Sequence, residues 1–302
     1  MTMRTTTSAG ADLIRARASL AGRRLRSPSR VANSARNARA EVDRHRRWGP
    51  ARDALWEFVE PHLVDGARVA VLGAGNADDL PLRRIAARAG SVSLIDLDER
   101  AARAARRRLG PRRRRRVEVI AHDVTGGVAD RVVVAAMLGE APARTTAPEA
   151  PLPGAPYDLA IGDLLYSQLL YPALLDLGVE ERRRAAFLRR YAPRLTRATV
   201  ARLHASAPLV IHLHDPLAWW DGHEQPVEPA HLLRLAEGAD RGEGEGVEAV
   251  LSEITRGLGP VESDPRAALR SFGIAPRATA FWRWPFSEGV DYLVCATLAG
   301  EG

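Results

Sequence analysis

The sequence predicts an α/β fold: a mostly parallel seven-stranded sheet with helices on both faces and a C-terminal antiparallel hairpin. Three observations predict it. The apolar run Val69–Leu72 ends in Gly73-Ala74-Gly75, a strand-to-helix turn in which backbone can approach a ligand closely. A second run, Val92–Ile95, ends in Asp96, and further apolar runs alternate with helical stretches, the rhythm of parallel strands joined by crossovers. The last two runs are joined only by Pro285–Asp291, too short for a parallel crossover, so they form a hairpin.

Residues 1–47 hold twelve arginines against Asp12, Glu41 and Asp43, with few large apolar side chains. Such a composition buries little surface and predicts a flexible arm that frays or forms a solvated helix, leaving residues 48–302 as the ordered domain. Leu55, Trp56, Phe58, Val59 and Leu63 recur at helical spacing until Pro61 ends or kinks the helix. After the first strand, Val69–Leu72, a helix is expected over Asp78–Ala89, with Asp78 or Asp79 near its cap. Val92–Ile95 is the second strand, and Asp98 suits the N-cap of a helix from Glu99 to about Leu109. Val117–Ala121 is the third strand and closes on His122-Asp123. A helix over Val128–Leu138 is followed by a Pro/Ala/Thr-rich insert near 140–156 and the fourth strand, Tyr157–Ile161. Helical stretches at Leu164–Asp176, Glu180–Tyr191 and Pro193–Ser206 precede the fifth strand, Leu209–Leu213. A second insert near 215–246, with Trp219-Trp220 and the low-complexity run Gly238–Gly246, breaks the rhythm before Thr279–Trp284 and Tyr292–Leu298.

With 46% hydrophobic residues the 302-residue chain can bury a sizeable core. No apolar run approaches the roughly 20 residues a membrane span needs. The lone cysteine, Cys295, excludes an internal disulfide framework, and Met1–Gly10 lacks the apolar centre of a signal peptide. A cytoplasmic protein with no membrane partner is the expectation. The net charge of +7 is concentrated in the arm, and all 44 basic residues are arginine. Codon drift in a GC-rich genome accounts for that; phosphate recognition by the planar guanidinium is the sharper reading.

The chemistry-bearing residues cluster at strand ends. A dinucleotide fingerprint wants Gly or Ala at its sixth position, and Asp78 stands there instead. Asp96 is placed to accept from two vicinal ribose hydroxyls, and Asp163 follows the fourth strand in Gly162-Asp163-Leu164-Leu165-Tyr166. Tyr166, Gln168 and Tyr171 lie one to two turns further on, where they can face a substrate. Alternation puts His212 and His214 on one face of the fifth strand, as a general base or as packed core. Too few further ligands are tied to them by spacing to predict a metal. Trp219, Trp220, Trp282 and Trp284 are candidate pocket walls. Arg106–Arg108 and Arg112–Arg116 read as a solvated helix end.

The order of elements from about Ala51 to Ala299 resembles the class I S-adenosylmethionine-dependent methyltransferases, a Rossmann-like family whose sheet ends in a reversed seventh strand. Motif-level likeness is confined to Leu72–Asp79, Asp96, Asp123 and Asp163. Val71 and Ala77 stand where that family has an acid and a third glycine. The resemblance implies S-adenosyl-L-methionine held by Gly73, Gly75, Asn76, Asp78, Asp96, Leu97, Asp123 and Val124, with Asp163, His212 or His214 orienting or deprotonating the acceptor. Asp163 to Tyr166 also resembles the Asp-Pro-Pro-Tyr motif of amino-methyltransferases, with leucines for both prolines. The expected reaction is methyl transfer to an O or N nucleophile of a small or medium-sized molecule, the two inserts serving as lid or specificity element. Alternatives are methylation of RNA (nucleic acid bound through the Arg-rich arm), aminopropyl transfer on the same fold, and a non-catalytic adenosyl-binding protein.

Overall fold

The computed structural model describes residues 27–38, 43–142, 145–222, 246–258 and 263–301, with isolated residues between 224 and 235. Seven strands form one sheet in the order β3-β2-β1-β4-β5-β7-β6. They are β1 (Arg68–Leu72), β2 (Ser91–Asp96), β3 (Val117–Ala121), β4 (Leu159–Gly162), β5 (Leu209–Trp220), β6 (Pro276–Ser287) and β7 (Val290–Gly300). Five are parallel: Val71 lies opposite Leu94 of β2 and Ile161 of β4. β7 runs antiparallel between β5 and β6, as the short connection requires. This is the Rossmann-like sheet with a reversed seventh strand that the sequence predicts.

Strand alternation builds a core on each face. Val69 and Val71 point to one side, with Leu55, Ile85 and Ala102 of the covering helices. Ala70 and Leu72 point to the other, against Val132 and Leu203. Asp98 caps the helix Glu99–Arg107 by accepting from the Ala101 N–H at 3.2 Å, and Val128–Leu138 is helical as expected.

Several elements differ from expectation. The helix after β1 is only Leu82–Arg88; Asp78 is drawn away by Arg44 and Arg108, and Pro81 is its N-cap. Glu181–Ser206 is one continuous helix through Pro193. Tyr191, Ala192 and Leu195 are buried against the core there, and that burial outweighs the lost backbone bond. β5 continues to Trp220, with a register shift between His214 and Leu217. The 140–156 insert is anchored rather than free: Arg202 donates to the carbonyl of Ala150 at 2.7 Å, and Leu152 is core. Helices at Gly246–Leu258 and Pro265–Ser271 precede the hairpin.

The largest difference is N-terminal. Pro28–Asn37, inside the stretch expected to be a flexible arm, is a helix with Ser27 as N-cap and Pro28 at its first position. The Ser29 N–H donates to Asp130 at 2.9 Å, and Arg36 forms a two-pronged pair with Asp176 at 2.7 and 2.9 Å. Residues 1–26 lie outside the described residues. Among the described residues no helix is long and apolar enough to cross a membrane.

Candidate active site

The strand order reverses between β2-β1 and β4-β5, and ligands of open α/β sheets bind beyond the carboxyl ends of strands at such a point. A cavity of about 520 Å³ lies there. Its floor is the Gly73–Gly75 turn. Gly73 has φ +83°, and a Cβ on it would stand 2.9 Å from the Asp163 carbonyl oxygen, so the turn and the loop after β4 can meet only over glycine. The Gly73 N–H donates to the Ile95 carbonyl at 2.9 Å and the Gly75 N–H to Asp96 at 2.8 Å. Both donors are spent within the chain.

Asp96, at the end of β2, accepts from Gly75 on one oxygen and from the Asp98 N–H, at 2.6 Å, on the other. Burial raises its pKa, and these backbone bonds partly offset that. Asp123 holds the turn before Val128–Leu138: one oxygen accepts from the Thr125 N–H and hydroxyl at 2.8 and 2.7 Å, the other from the Gly127 N–H at 2.7 Å. Asn76, Leu97 and Val124 also line the cavity. The long helix fixes this wall, since Arg202 donates to the Val124 carbonyl at 2.7 Å and meets His122 Nε2 at 3.0 Å.

Asp163 is the most exceptional group. The residue is buried, at 4% exposure, and its Oδ1 has no hydrogen-bond partner among the described residues. Burial, and then the charges of Asp79 and Asp96, push its pKa well above the carboxylate range. Asp79 lines the same cavity and is raised by burial to about 6. Leu164, next to Asp163, is held at φ +45°, a conformation costly for a branched side chain and typical of functional loops.

Four residues expected at the site lie elsewhere. Asp78 is buried between Arg44, at 2.6 Å, and Arg108, at 2.7 Å, and is absent from the cavity wall. Tyr166 is fully buried beneath the sheet, its hydroxyl 2.5 Å from His212 Nδ1. The other ring nitrogen of His212 faces His204 Nε2 at 3.1 Å. His214 is buried near Asp264, at 3.5 Å. Burial lowers the pKa of both histidines, that of His212 strongly, so they stay neutral and remote from the cavity. Gln168 and Tyr171, by contrast, line it.

Of the tryptophans expected as pocket walls, Trp220 and Trp284 line the cavity, and further wall residues arrive through tertiary contacts. The β5 register shift turns Asp215 into the cavity, where it accepts from the Ser167 hydroxyl at 3.1 Å and burial raises it to about 6. Trp48, Trp220, Trp284, Phe286 and Tyr292 form an aromatic wall, whereas Trp219 packs in a satellite core. Ser29, Asn33, Arg36 and Asn37 of the N-terminal helix close the cavity over the glycine turn. For that helix a signal does exist in Ser27-Pro28, an N-cap followed by proline at N1. No described residue of 140–156 lines the cavity; that insert is tied to the cavity wall through Arg202, which donates to the carbonyls of both Ala150 and Val124. Of the 215–246 insert, Asp215 and Trp220 reach the wall, and most of 223–245 lies outside the described residues.

No protein-family model matches the chain, and no curated protein matches it. Among solved structures, a SAM-dependent methyltransferase from Aquifex aeolicus is 15% identical, with a TM-score of 0.40 over 86% of this chain and 93% of that one. The magnesium protoporphyrin IX methyltransferase ChlM from Synechocystis PCC 6803, with bound SAH, is 13% identical, with a TM-score of 0.40 over 84% of this chain and 83% of that one. Overlaps of that quality carry no argument about activity or site residues, and the fold stands on the sheet order itself.

Proposed function

We propose that this chain transfers the methyl group of S-adenosylmethionine to an O or N nucleophile of a small or medium-sized molecule. The observation that carries the reading is the buried Asp163 carboxyl, whose Oδ1 has no partner among the described residues, lining with Asp79 and Asp96 one cavity at the switch point of the sheet. An unpaired buried acid is costly, and a cationic ligand relieves it. A dinucleotide fits less well. The N–H groups of Gly73 and Gly75 are already used, and the next helix starts only at Leu82, so the turn offers no pyrophosphate cradle.

In this reading Asp96 accepts from the ribose hydroxyls with the lone pairs that Gly75 and Asp98 leave open. Leu97 and Val124 pack on the adenine faces, and the second oxygen of Asp123 keeps one lone pair for the adenine amine. Asp163 and Asp79 face the cationic end. When bound, the cofactor supplies an electrophilic methyl group whose carbon–sulfur bond breaks, with its electron pair passing to sulfur, as the acceptor's bond to carbon forms. The chain's own contribution is alignment and exclusion of water, for which the N-terminal helix closes the cavity. Asp215, raised to about 6, is better tuned and better placed to take an acceptor's proton than the buried histidines.

Arg36 and Arg44 reach the cavity already paired with Asp176 and Asp78, which favours a small acceptor over a polyanion such as RNA. Asp163 and Asp215 on one wall also suit aminopropyl transfer, which turnover of decarboxylated S-adenosylmethionine would reveal. Calorimetry tests the cofactor. Wild type is expected to bind S-adenosylmethionine and S-adenosylhomocysteine but not NAD, and Asp96→Ala to weaken both by about tenfold or more, the cost of a lost charged acceptor. Tight NAD binding without any adenosyl ligand would overturn the reading.

A further inference from the structure

Away from the glycine turn the cavity changes character. Asp215 enters where the β5 register shift breaks strand alternation, and its hydrogen-bond donor is the Ser167 hydroxyl. Aromatic rings surround this end. Tyr292 lies 5.7 Å from Trp284 and 5.1 Å from Phe286, centroid to centroid, and Trp48 stacks on Phe286 at 5.8 Å. Tyr292 pairs across the sheet with Ala218, three residues beyond Asp215, and both Asp215 and Tyr292 line the cavity; burial first, and then the negative charge of Asp215, raises the Tyr292 hydroxyl to about 12. The rim is apolar yet open: Tyr171, Leu175, Trp220 and Phe286 are 44%, 41%, 47% and 37% exposed. A monomer rarely leaves so many large apolar side chains around one opening without a ligand for them.

Charge narrows the ligand further. Among the described residues five aspartates line the cavity (Asp79, Asp96, Asp123, Asp163 and Asp215), against Arg36 and Arg44. Both arginines are neutralised by acids outside the wall, Asp176 and Asp78. The inner acids, with the Asp163 oxygen that has no partner among the described residues, suit one cation, and Asp215, accepting from Ser167, lines the same cavity with the aromatic rings. Trp284 lines this cavity and also a small separate void against Asp79 and Asp163. A carboxylate beside electron-rich ring faces is the arrangement that holds an ammonium group.

We propose that the aromatic end of the cavity binds the acceptor, and that the acceptor is an amine with an apolar or aromatic body, its nitrogen on the Asp215 carboxylate and its body on the rim of Tyr171, Leu175, Trp220 and Phe286. The assignment of this ligand as acceptor rests on the methyl-transfer reading above; the amine preference of the site does not. A carboxylate-bearing or phosphorylated analogue would face Asp215 with like charge.

The test is calorimetry on the full chain with 2-phenylethylamine and with 3-phenylpropionate, which matches it in length and ring but carries the opposite charge. Each is titrated with and without S-adenosylhomocysteine. The amine is expected to bind about tenfold or more tightly than the acid. Asp215→Asn is expected to erase most of that preference while leaving S-adenosylhomocysteine affinity within about twofold, and Trp220→Ala, at an exposed rim position, to weaken the amine about threefold or more. Equal affinity for the two probes, no amine binding at millimolar concentration, or unchanged amine binding by Asp215→Asn would each overturn the proposal. Failure of S-adenosylhomocysteine to bind, with the amine preference intact, would instead overturn the methyl-transfer reading alone.

Discussion

Ala77 occupies a left-handed conformation, φ +53°, at the position where the glycine pattern of the resembled family has its third glycine. A Cβ there costs on the order of 1–2 kcal/mol, more than the roughly 0.5–1 kcal/mol of chain entropy a glycine loses on folding. Ala77→Gly is therefore expected to stabilise the protein slightly, raising Tm by about 1–3 °C. A lower Tm in a thermal melt would show that the Ala77 methyl, which packs in the core with Ala74 and Leu80, outweighs the backbone strain. Residues whose role is local are legible in the sequence: Gly73 because a turn needs it, Asp96 and Asp163 because they end apolar runs. Asp78, Tyr166, His212 and His214 are not. Each is placed by a partner distant in sequence, Arg44 and Arg108 for Asp78, Tyr166 and His212 for one another, and Asp264 for His214, and no local pattern carries that information.

At the scale of elements, the strands are legible because alternation and length define them, whereas helix limits depend on tertiary contacts. The N-terminal helix is the instructive case. Its composition reads as solvated arm, yet it is fastened over the cavity. Asn37 donates to Asp98 at 3.1 Å, Arg36 pairs with Asp176, and beyond it Arg44 grips Asp78 from a four-residue helix, Arg44–Arg47. The two arginine latches are unequal. Arg36 and Asp176 are partly exposed, so solvent screens them and their pair is worth below about 1 kcal/mol. Arg44 and Asp78 are buried, and losing one partner of a buried pair costs several times more, moderated here because Arg108 still serves Asp78. Arg44→Ala is thus expected to weaken S-adenosylhomocysteine binding by about fivefold or more and to make the helix Pro28–Asn37 a protease target, while Arg36→Ala changes affinity by less than about twofold. Equal effects from the two variants, measured by titration and limited proteolysis, would mean the helix is not what closes the cavity.

At the scale of the whole molecule, sheet order gathers acids that the sequence scatters. Asp79 follows β1, Asp96 ends β2, Asp163 follows β4 and Asp215 comes from the register shift of β5, and all face one cavity. The alternating rhythm of the sequence foretells the sheet and so the convergence of the first three; the shift in β5, which delivers the fourth, leaves no mark in the pattern. This convergence has a consequence for protons. Burial and mutual repulsion raise Asp163 well above an ordinary aspartate and Asp79 to about 6, so near neutral pH the ligand-free cavity retains protons that an isolated aspartate would have lost. Histidines cannot mask this: burial, and then the Arg202 charge, lowers His122 on the cavity wall, and burial also lowers the remote His204, His212 and His214. A cation entering the cavity favours the ionised acids and must expel protons. Affinity for S-adenosylmethionine is then expected to rise with pH above about 6, with a net number of protons released per ligand. Binding enthalpies in two buffers of different ionisation heat read that number directly. Asp163→Asn removes the main proton donor and is expected to cut the release by more than about half, and to raise Tm in the ligand-free protein because an unpartnered buried acid is gone. An enthalpy independent of buffer at pH 7 would mean that Asp163 is already ionised, and that the cavity is built to hold its charge without a cationic ligand.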